Sequence, residues 1–299
     1  MNCQCVMKPI DSPNPRSEPV SLGDWLDTAH FQFKQHPEEP LSSLYALVAY
    51  VLDQPTHFGI SHSEYQLSKE ERQQLENYLS RLLAGTPLPY LTGKQEFFNL
   101  DFTITPDVLI PRPETELLVS LAIDCQKAHP GRRKSLDIGT GSGCIAVSIC
   151  ANIADGHFIA IDRSIKALQV AESNVSKYHL SDRIHLVQMD LLNGISGRFD
   201  CLFANLPYIP TDRLSELSVS KQEPRLALDG GENGLVLVEK LLRQSVGLVS
   251  PGGAIFLEID YSQASDVLAL GTAFFPNSFV KIEDDLAGLP RVAVIELKN

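Results

Sequence analysis

The segment FANLPYIP (203–210) places a carboxamide, Asn205, directly after an apolar run and follows it with Leu206, Pro207 and Tyr208. A chain reversal alone needs only Gly, Asn or Pro. A stiff proline and an aromatic ring at fixed distance from an amide indicate that this segment also binds something.

Two acceptors at a suitable separation can hold the hydrogens of a planar NH₂ group and direct its nitrogen at an electrophile. Such a nitrogen is a weak nucleophile because its lone pair is delocalised. The Asn205 side-chain oxygen and the backbone carbonyl of 206 or 207 can act as those acceptors, since Pro207 has no N–H. We therefore predict that Asn205, Pro207 and Tyr208 are catalytic, and that the NLPY segment (Asn205, Leu206, Pro207 and Tyr208) binds the substrate.

A glycine turn lies in LDIGTGSGC (136–144), between a predicted strand and a predicted helix. Without side chains on its glycines, a ligand can approach the main-chain N–H groups and the helix N-terminus. A dinucleotide-binding turn would carry Gly at 144, where this chain has Cys, so a pyrophosphate is disfavoured. We predict cofactor contacts from the whole turn: Gly139, Thr140, Gly141, Ser142 and Gly143.

Two acids follow the next two predicted strands. Asp162 ends IAID and is placed to accept the hydrogens of a ribose diol. Asp190 ends QMD and is placed to reach an adenine amine, although helix capping or solvent exposure explains an isolated Asp equally well. The glycine turn, the ribose-binding acid and the amide together indicate S-adenosyl-L-methionine, whose sulfonium methyl is the electrophile, with Asn205 also touching this cofactor.

These residues need a parallel sheet to bring them together. Beyond residue 134, short apolar runs alternate with helical patterns, which is typical of a mostly parallel sheet covered on both faces. The predicted strands are 135–138, 157–161, 183–187, 199–204, 254–259, 278–283 and 291–297. The predicted helices are 143–153, 164–178, 233–248 and 262–270.

The chain before this sheet differs in pattern. Residues 1–20 are Pro- and Ser-rich and predict a flexible lead, and 21–88 predict a small helical domain with capping boxes at Ser21 and Ser68. We assign 89–112 to a linker with a β-hairpin around Asn99, which also covers the site, and 113–299 to the catalytic domain. Pro113 is predicted to lie at or near the first position of a helix.

Composition excludes several classes of function. The 299 residues carry a formal net charge of -12, which disfavours partners held by their phosphates. The six cysteines form no CxxC pair, so we predict no metal site. The N-terminus lacks a secretory signal and no run is long enough to span a membrane, so we expect a cytoplasmic protein, with a monomer favoured.

Taken in order, the motifs resemble those of the release-factor glutamine methyltransferases, the PrmC/HemK family. The matching segments are YLTG (90–93), EFF (96–98), IPRPETE (110–116), DIGTGSG (137–143), Asp162, NLPYI (205–209), EPRLALDGG (223–231) and GL (234–235). The resemblance implies a class I, Rossmann-like methyltransferase domain with seven strands, the last one antiparallel, and a small all-α N-terminal domain that docks the release factor. It also implies methylation of the glutamine N5 in the release factor's GGQ motif.

One position departs from that family, which has Asn-Pro-Pro-Tyr where this chain has Leu206. We expect the restored N–H to loosen the segment. Asn-Leu-Pro-Tyr also occurs in rRNA adenine dimethyltransferases, so the alternative function is methylation of adenine N6 in rRNA or DNA. The IPRPETE and EPRLAL motifs are expected to have supporting roles. Arg112 is expected to pair with an acid, and Glu223 and Arg225 are expected to support the NLPY segment.

Overall fold

A computed structural model describes residues 20–299. Its contacts divide the chain into two units, one ending at Thr92 and one running from Gly93 to Asn299. The predicted flexible lead, 1–20, lies outside the described residues except for Val20.

The N-terminal unit is a small helical fold around a leucine-rich core. A short strand pair, β1 and β2, accompanies the helices. Helix α4 begins with a full capping box, because Ser68 Oγ accepts from Glu71 N at 3.2 Å and Glu71 Oε2 accepts from Ser68 N at 2.8 Å. Ser21 caps α1 from only one side, accepting from Asp24 N at 3.1 Å. The elements are β1 (Val20–Ser21), α1 (Leu22–Phe33), α2 (Leu41–Leu52), α3 (Phe58–Ser61), β2 (Gln66–Leu67), α4 (Lys69–Leu83) and α5 (Leu88–Thr92).

A β-hairpin opens the second unit, with strands β3 (Lys94–Phe97) and β4 (Leu100–Thr103). Its two turn residues, Phe98 and Asn99, have φ values of 50° and 58°, as a two-residue hairpin turn requires. Glu116 Oε1 accepts from Phe98 N at 2.9 Å, so the turn is held by the following helix.

The main sheet has seven strands in the order β10-β11-β9-β8-β5-β6-β7. Only β11 runs antiparallel to its neighbours. The rings of Phe158, Phe203 and Phe256, on the sixth, eighth and ninth strands of the chain, stack in series in the core. The strands are β5 (Lys134–Ile138), β6 (His157–Asp162), β7 (Ile184–Gln188), β8 (Phe199–Ala204), β9 (Val249–Glu258), β10 (Phe279–Asp284) and β11 (Pro290–Glu296). The predicted seven-stranded, mostly parallel sheet is confirmed.

Five helices cover this sheet: α6 (Thr115–Ala128), α7 (Cys144–Asn152), α8 (Ile165–Lys177), α9 (Val236–Ser245) and α10 (Ala264–Phe274). Helix α6 begins at Thr115, two residues after Pro113, which was predicted to lie at or near its first position. Pro113 lies in a preceding turn, where its carbonyl accepts from Glu116 N at 3.1 Å. Among residues 20–299, no helix has both the length and the apolarity that a bilayer crossing needs.

Candidate active site

A cavity of about 730 Å³ opens at the carboxyl ends of β5, β6 and β8. Such an edge is where ligands bind in open α/β sheets. Most predicted site residues line it: Gly139, Thr140, Gly141, Ser142, Asp162, Asp190, Asn205, Leu206 and Pro207. Gly143 and Tyr208 do not line it, and their predicted contacts with cofactor and substrate stay predictions.

The glycine turn is held open by the neighbouring strand. The N–H groups of Gly139 and Thr140 both donate to the Ile161 carbonyl, at 2.8 and 2.9 Å. Gly139 has φ 73° and Gly143 has φ 81°, conformations that disfavour a side chain. A Cβ on Gly143 would lie 3.4 Å from Ala171, which is an ordinary contact, so the backbone conformation and not a lack of space favours glycine there.

Asp137 supports this turn from below. The side chain is fully buried, and its Oδ2 accepts from the Thr140 hydroxyl at 2.6 Å. Its Oδ1 is buried without a hydrogen-bond partner among the described residues. Burial raises the pKa of this carboxyl to about 7, while the Thr140 hydrogen bond opposes the rise. The backbone N–H of Ala146 also lowers this pKa, so Asp137 holds the turn from within the core and does not line the cavity.

Asp162 ends β6 and ties the turn to the next helix. Its Oδ2 accepts from Gly141 N at 3.0 Å and its Oδ1 from Ser164 N at 2.8 Å. Burial raises the pKa of Asp162, and these hydrogen bonds oppose the rise. Each carboxylate oxygen retains a further lone pair, so the diol interaction expected of this residue stays compatible with its contacts.

Asp190 lies at the cavity edge and is held by α9. Lys240 Nζ donates to its Oδ2 at 2.6 Å, and the Asp190 side chain is 44% exposed. Lys240 was not identified from sequence, because a single lysine on a predicted helix resembles any solvated residue. The expected contact of Asp190 with adenine stays a prediction.

Asn205 is held by the first residue of α6. Its Nδ2 donates to the Thr115 hydroxyl oxygen at 3.1 Å, and Thr115 is buried with 2% exposure. The two terminal atoms of a planar carboxamide point to different sides. The Asn205 Oδ1 is therefore presented as an acceptor on the side away from Thr115.

The rest of the NLPY segment packs against glycines. Leu206 is 4% exposed and its Cδ2 would lie 3.1 Å from a Cβ on Gly139, so it joins this segment to the glycine turn. A Cβ on Gly230 would lie 2.7 Å from the Pro207 carbonyl oxygen. The Tyr208 carbonyl accepts from Gln263 Nε2 at 3.1 Å. Burial, followed by the charge of Glu258, raises the Tyr208 pKa to about 12, so its hydroxyl keeps its proton.

The IPRPETE and EPRLAL motifs meet through Glu223. This carboxylate forms an ion pair with Arg112 and accepts from Ile110 N at 3.1 Å. Glu223 therefore secures the 110–112 segment rather than the NLPY segment, contrary to expectation. The expected partner acid of Arg112 is thereby identified.

Arg225 acts through Asp229. Its guanidinium contacts Asp229 Oδ2 at 3.2 Å, and Asp229 Oδ1 accepts from the Thr211 hydroxyl at 2.6 Å. The backbones of Ile209 and Asp229 form an isolated parallel β-bridge. Arg225 is thus linked to the end of the chain segment that follows NLPY.

Replacing Glu223 by Ala is expected to cost about 1–3 kcal/mol of unfolding free energy, because a buried N–H and a cation lose their acceptor. The cost stays moderate because the Arg112 side chain is 35% exposed and can be hydrated. Denaturant unfolding measures it. Glu239→Ala, which breaks an exposed pair with Arg243, is the control and should change stability by only about 0.5 kcal/mol. Equal effects would show that Glu223 secures nothing.

The comparisons with known proteins agree with this geometry. Residues 24–93 match the PrmC N-terminal domain family and residues 114–222 match the methyltransferase small domain family. Among solved structures, the hMettl16 catalytic domain in complex with MAT2A 3′UTR hairpin 6 has a TM-score of 0.53 at 18% identity, covering 68% of this chain and 77% of that one. That likeness shows the fold alone.

Two curated relatives show the family. The release factor glutamine methyltransferase of Moorella thermoacetica is 42% identical over 216 residues, which cover 71% of this chain and 76% of the relative. That of Koribacter versatilis is 33% identical over 281 residues, covering 92% and 98%. The expected resemblance is confirmed, and the chain belongs to the release factor glutamine methyltransferase family.

Proposed function

We propose that this chain transfers the methyl group of S-adenosyl-L-methionine to the side-chain nitrogen N5 of the glutamine in the GGQ motif of peptide chain release factors. One observation carries the proposal. Asn205 lines the cavity with its Nδ2 engaged by Thr115, so that its Oδ1 remains to accept from an incoming NH₂ group.

The residues around the cavity fit this cofactor. The glycine turn, which lines the cavity and carries no bulky side chains, suits the amino acid moiety, and Asp162 suits a ribose. We assign Asp190, which lines the same cavity, to the base. When bound, the cofactor supplies an electrophilic methyl carbon on a sulfonium.

The substrate nitrogen needs two acceptors, and the second is a backbone carbonyl. The Tyr208 carbonyl accepts from Gln263, and the Pro207 carbonyl oxygen lies so close to Gly230 that a Cβ there would come within 2.7 Å of it. The Leu206 carbonyl has neither of these contacts. We assign the second acceptor to the Leu206 carbonyl. With both hydrogens held, the nitrogen is oriented for in-line attack and developing positive charge is stabilised without a base in the site.

Methyl-labelled cofactor tests this function. The protein is incubated separately with a release factor and with small-subunit rRNA, and label is expected on the release factor alone. A release factor with its GGQ glutamine replaced by Ala is the matched control and should stay unlabelled. Label only on RNA would replace this function by adenine N6 methylation, the alternative named by the Asn-Leu-Pro-Tyr sequence.

A further inference from the structure

A buried acid stands behind the proposed amide site without lining the cavity. Glu258 ends β9, is 2% exposed, and has an Oε2 atom with no hydrogen-bond partner among the described residues. Acids are rarely buried in this way unless they are paired. An orphaned carboxylate oxygen beside a reaction site therefore calls for a functional explanation.

Polar groups from several elements face this carboxyl. The Thr115 hydroxyl and the Asn205 amide lie beside it as donors that lower its pKa. Arg291 on β11 attracts the carboxylate, and Glu114, at the start of α6, repels it. Burial and then the charge of Glu258 raise the Tyr208 pKa to about 12. The Cys144 pKa is raised to about 12 by burial, then by the charge of Asp137, and less by that of Glu258.

We propose that Glu258 is a positioning residue for the proposed transfer: acting on the Thr115 hydroxyl, it fixes which edge of the Asn205 amide faces the substrate nitrogen. The inference rests on the proposed function for its chemistry. It rests for its geometry on the 3.1 Å bond from Asn205 Nδ2 to Thr115 Oγ1 and on the burial of Glu258.

The physical reason is the direction of the donor chain. A carboxylate can only accept, and a threonine hydroxyl has one hydrogen. When that hydrogen points to Glu258, the lone pairs of Thr115 Oγ1 are left for Asn205 Nδ2. The Asn205 oxygen then faces the substrate. With the chain reversed, Asn205 would present its own NH₂ to the substrate NH₂, and neither group could accept.

Protonation of Glu258 allows the hydrogen bonds between Glu258, Thr115 and Asn205 to reverse, because a carboxylic acid can donate to Thr115. Burial raises the pKa of Glu258 to about 7. The carboxylate form predominates above that pH. Turnover is therefore expected to fall as the pH is lowered through about 7. Cofactor affinity, for which the glycine turn and Asp162 are the main predicted contacts, should be retained.

Thr115→Val tests the chain with a side chain of similar shape. It removes the hydroxyl, and turnover on a release factor is expected to fall by about 10–10²-fold, since misplacing a reacting group costs this much. Thr115→Ser keeps the hydroxyl and is expected to restore turnover. Cofactor affinity should be the same in both variants. Equal turnover in the two variants would overturn the proposal.

Glu258→Gln tests the acid. Turnover is expected to lose its dependence on pH around 7. Thermal stability at about pH 8 should equal or exceed that of the unchanged protein, because the uncharged Gln avoids the cost of burying a carboxylate. A lower melting temperature with an unchanged pH profile would show that Glu258 is only structural.

A measurement without substrate separates this inference from the proposed function. The side-chain NH₂ resonances of Asn205 in isotope-labelled protein should titrate with a midpoint near pH 7, and Glu258→Gln should abolish that titration. If release factors stay unmethylated while the titration is seen, the proposed function fails and the positioning survives. If methylation is seen and the titration is identical in Glu258→Gln, the positioning fails.

Discussion

Replacing Asn205 by Ala is expected to lower turnover by about 10²–10³-fold, which is the usual effect of removing one fixed group that stabilises charge in a transition state. The variant loses the acceptor that Thr115 orients. The glycine turn and Asp162 make their own contacts with the rest of the sheet, so cofactor affinity should stay nearly unchanged. Single-turnover methylation and cofactor titration measure the two quantities.

Asp162→Ala is expected to show the opposite pattern to Asn205→Ala, with the larger effect on cofactor affinity. It removes the acceptor of two main-chain N–H groups beside the predicted ribose site, and cofactor affinity is expected to fall by about tenfold or more. Turnover at saturating cofactor should fall less than in Asn205→Ala. If Asn205→Ala instead lost affinity and turnover equally, Asn205 would belong to the cofactor site.

Gly234→Ala has the second large expected effect. A Cβ at this position would lie 2.2 Å from the Tyr208 carbonyl oxygen and 2.7 Å from Gln263 Nε2, and the residue has φ 75°. The NLPY segment must move to relieve the contact, since both obstacles define its C-terminal end. Turnover is expected to fall by about 10²-fold, because displacing reacting groups by an ångström costs that much. A lower melting temperature should accompany it.

Gly247→Ala separates the contact from the backbone strain. Gly247 has φ 81°, and a Cβ there would meet nothing within 4 Å. Its cost should be the strain alone, about 1–2 kcal/mol, with turnover unchanged. If both variants behaved alike, Gly234 would matter only for its backbone conformation and not for the position of Tyr208.

Much of the fold could be predicted because buried parallel strands have a distinctive pattern. FDCLFA (199–204) is apolar on both faces since helices cover both, and β8 occupies those residues. The boundary of α6 was less accurate. Pro113 is compatible with a first helical turn, yet its carbonyl closes a turn onto Glu116 and Thr115 begins the helix.

The support of the site could not be predicted, because it depends on contacts between distant parts of the chain. Glu258 ends an apolar strand and resembles any acid at a solvent-facing strand end. Thr115 follows Pro113 and Glu114 and therefore resembles an ordinary residue of a helix start. Their relation to Asn205 appears only when β8, β9 and α6 are packed together. For the same reason Glu223 was wrongly predicted to support the NLPY segment. Its observed partner, Ile110, is far from it in sequence.

The strand order has an evolutionary consequence. The glycine turn follows β5, Asp162, the predicted ribose ligand, ends β6, and Asn205 follows β8. Three neighbouring strands therefore contribute separate segments to one edge of the cavity. Mutation can change the segment after β8, which is predicted to bind the methyl acceptor, while the segments predicted to bind the cofactor are inherited unchanged. Sheets of this kind are therefore well suited to acquiring new methyl acceptors by divergence.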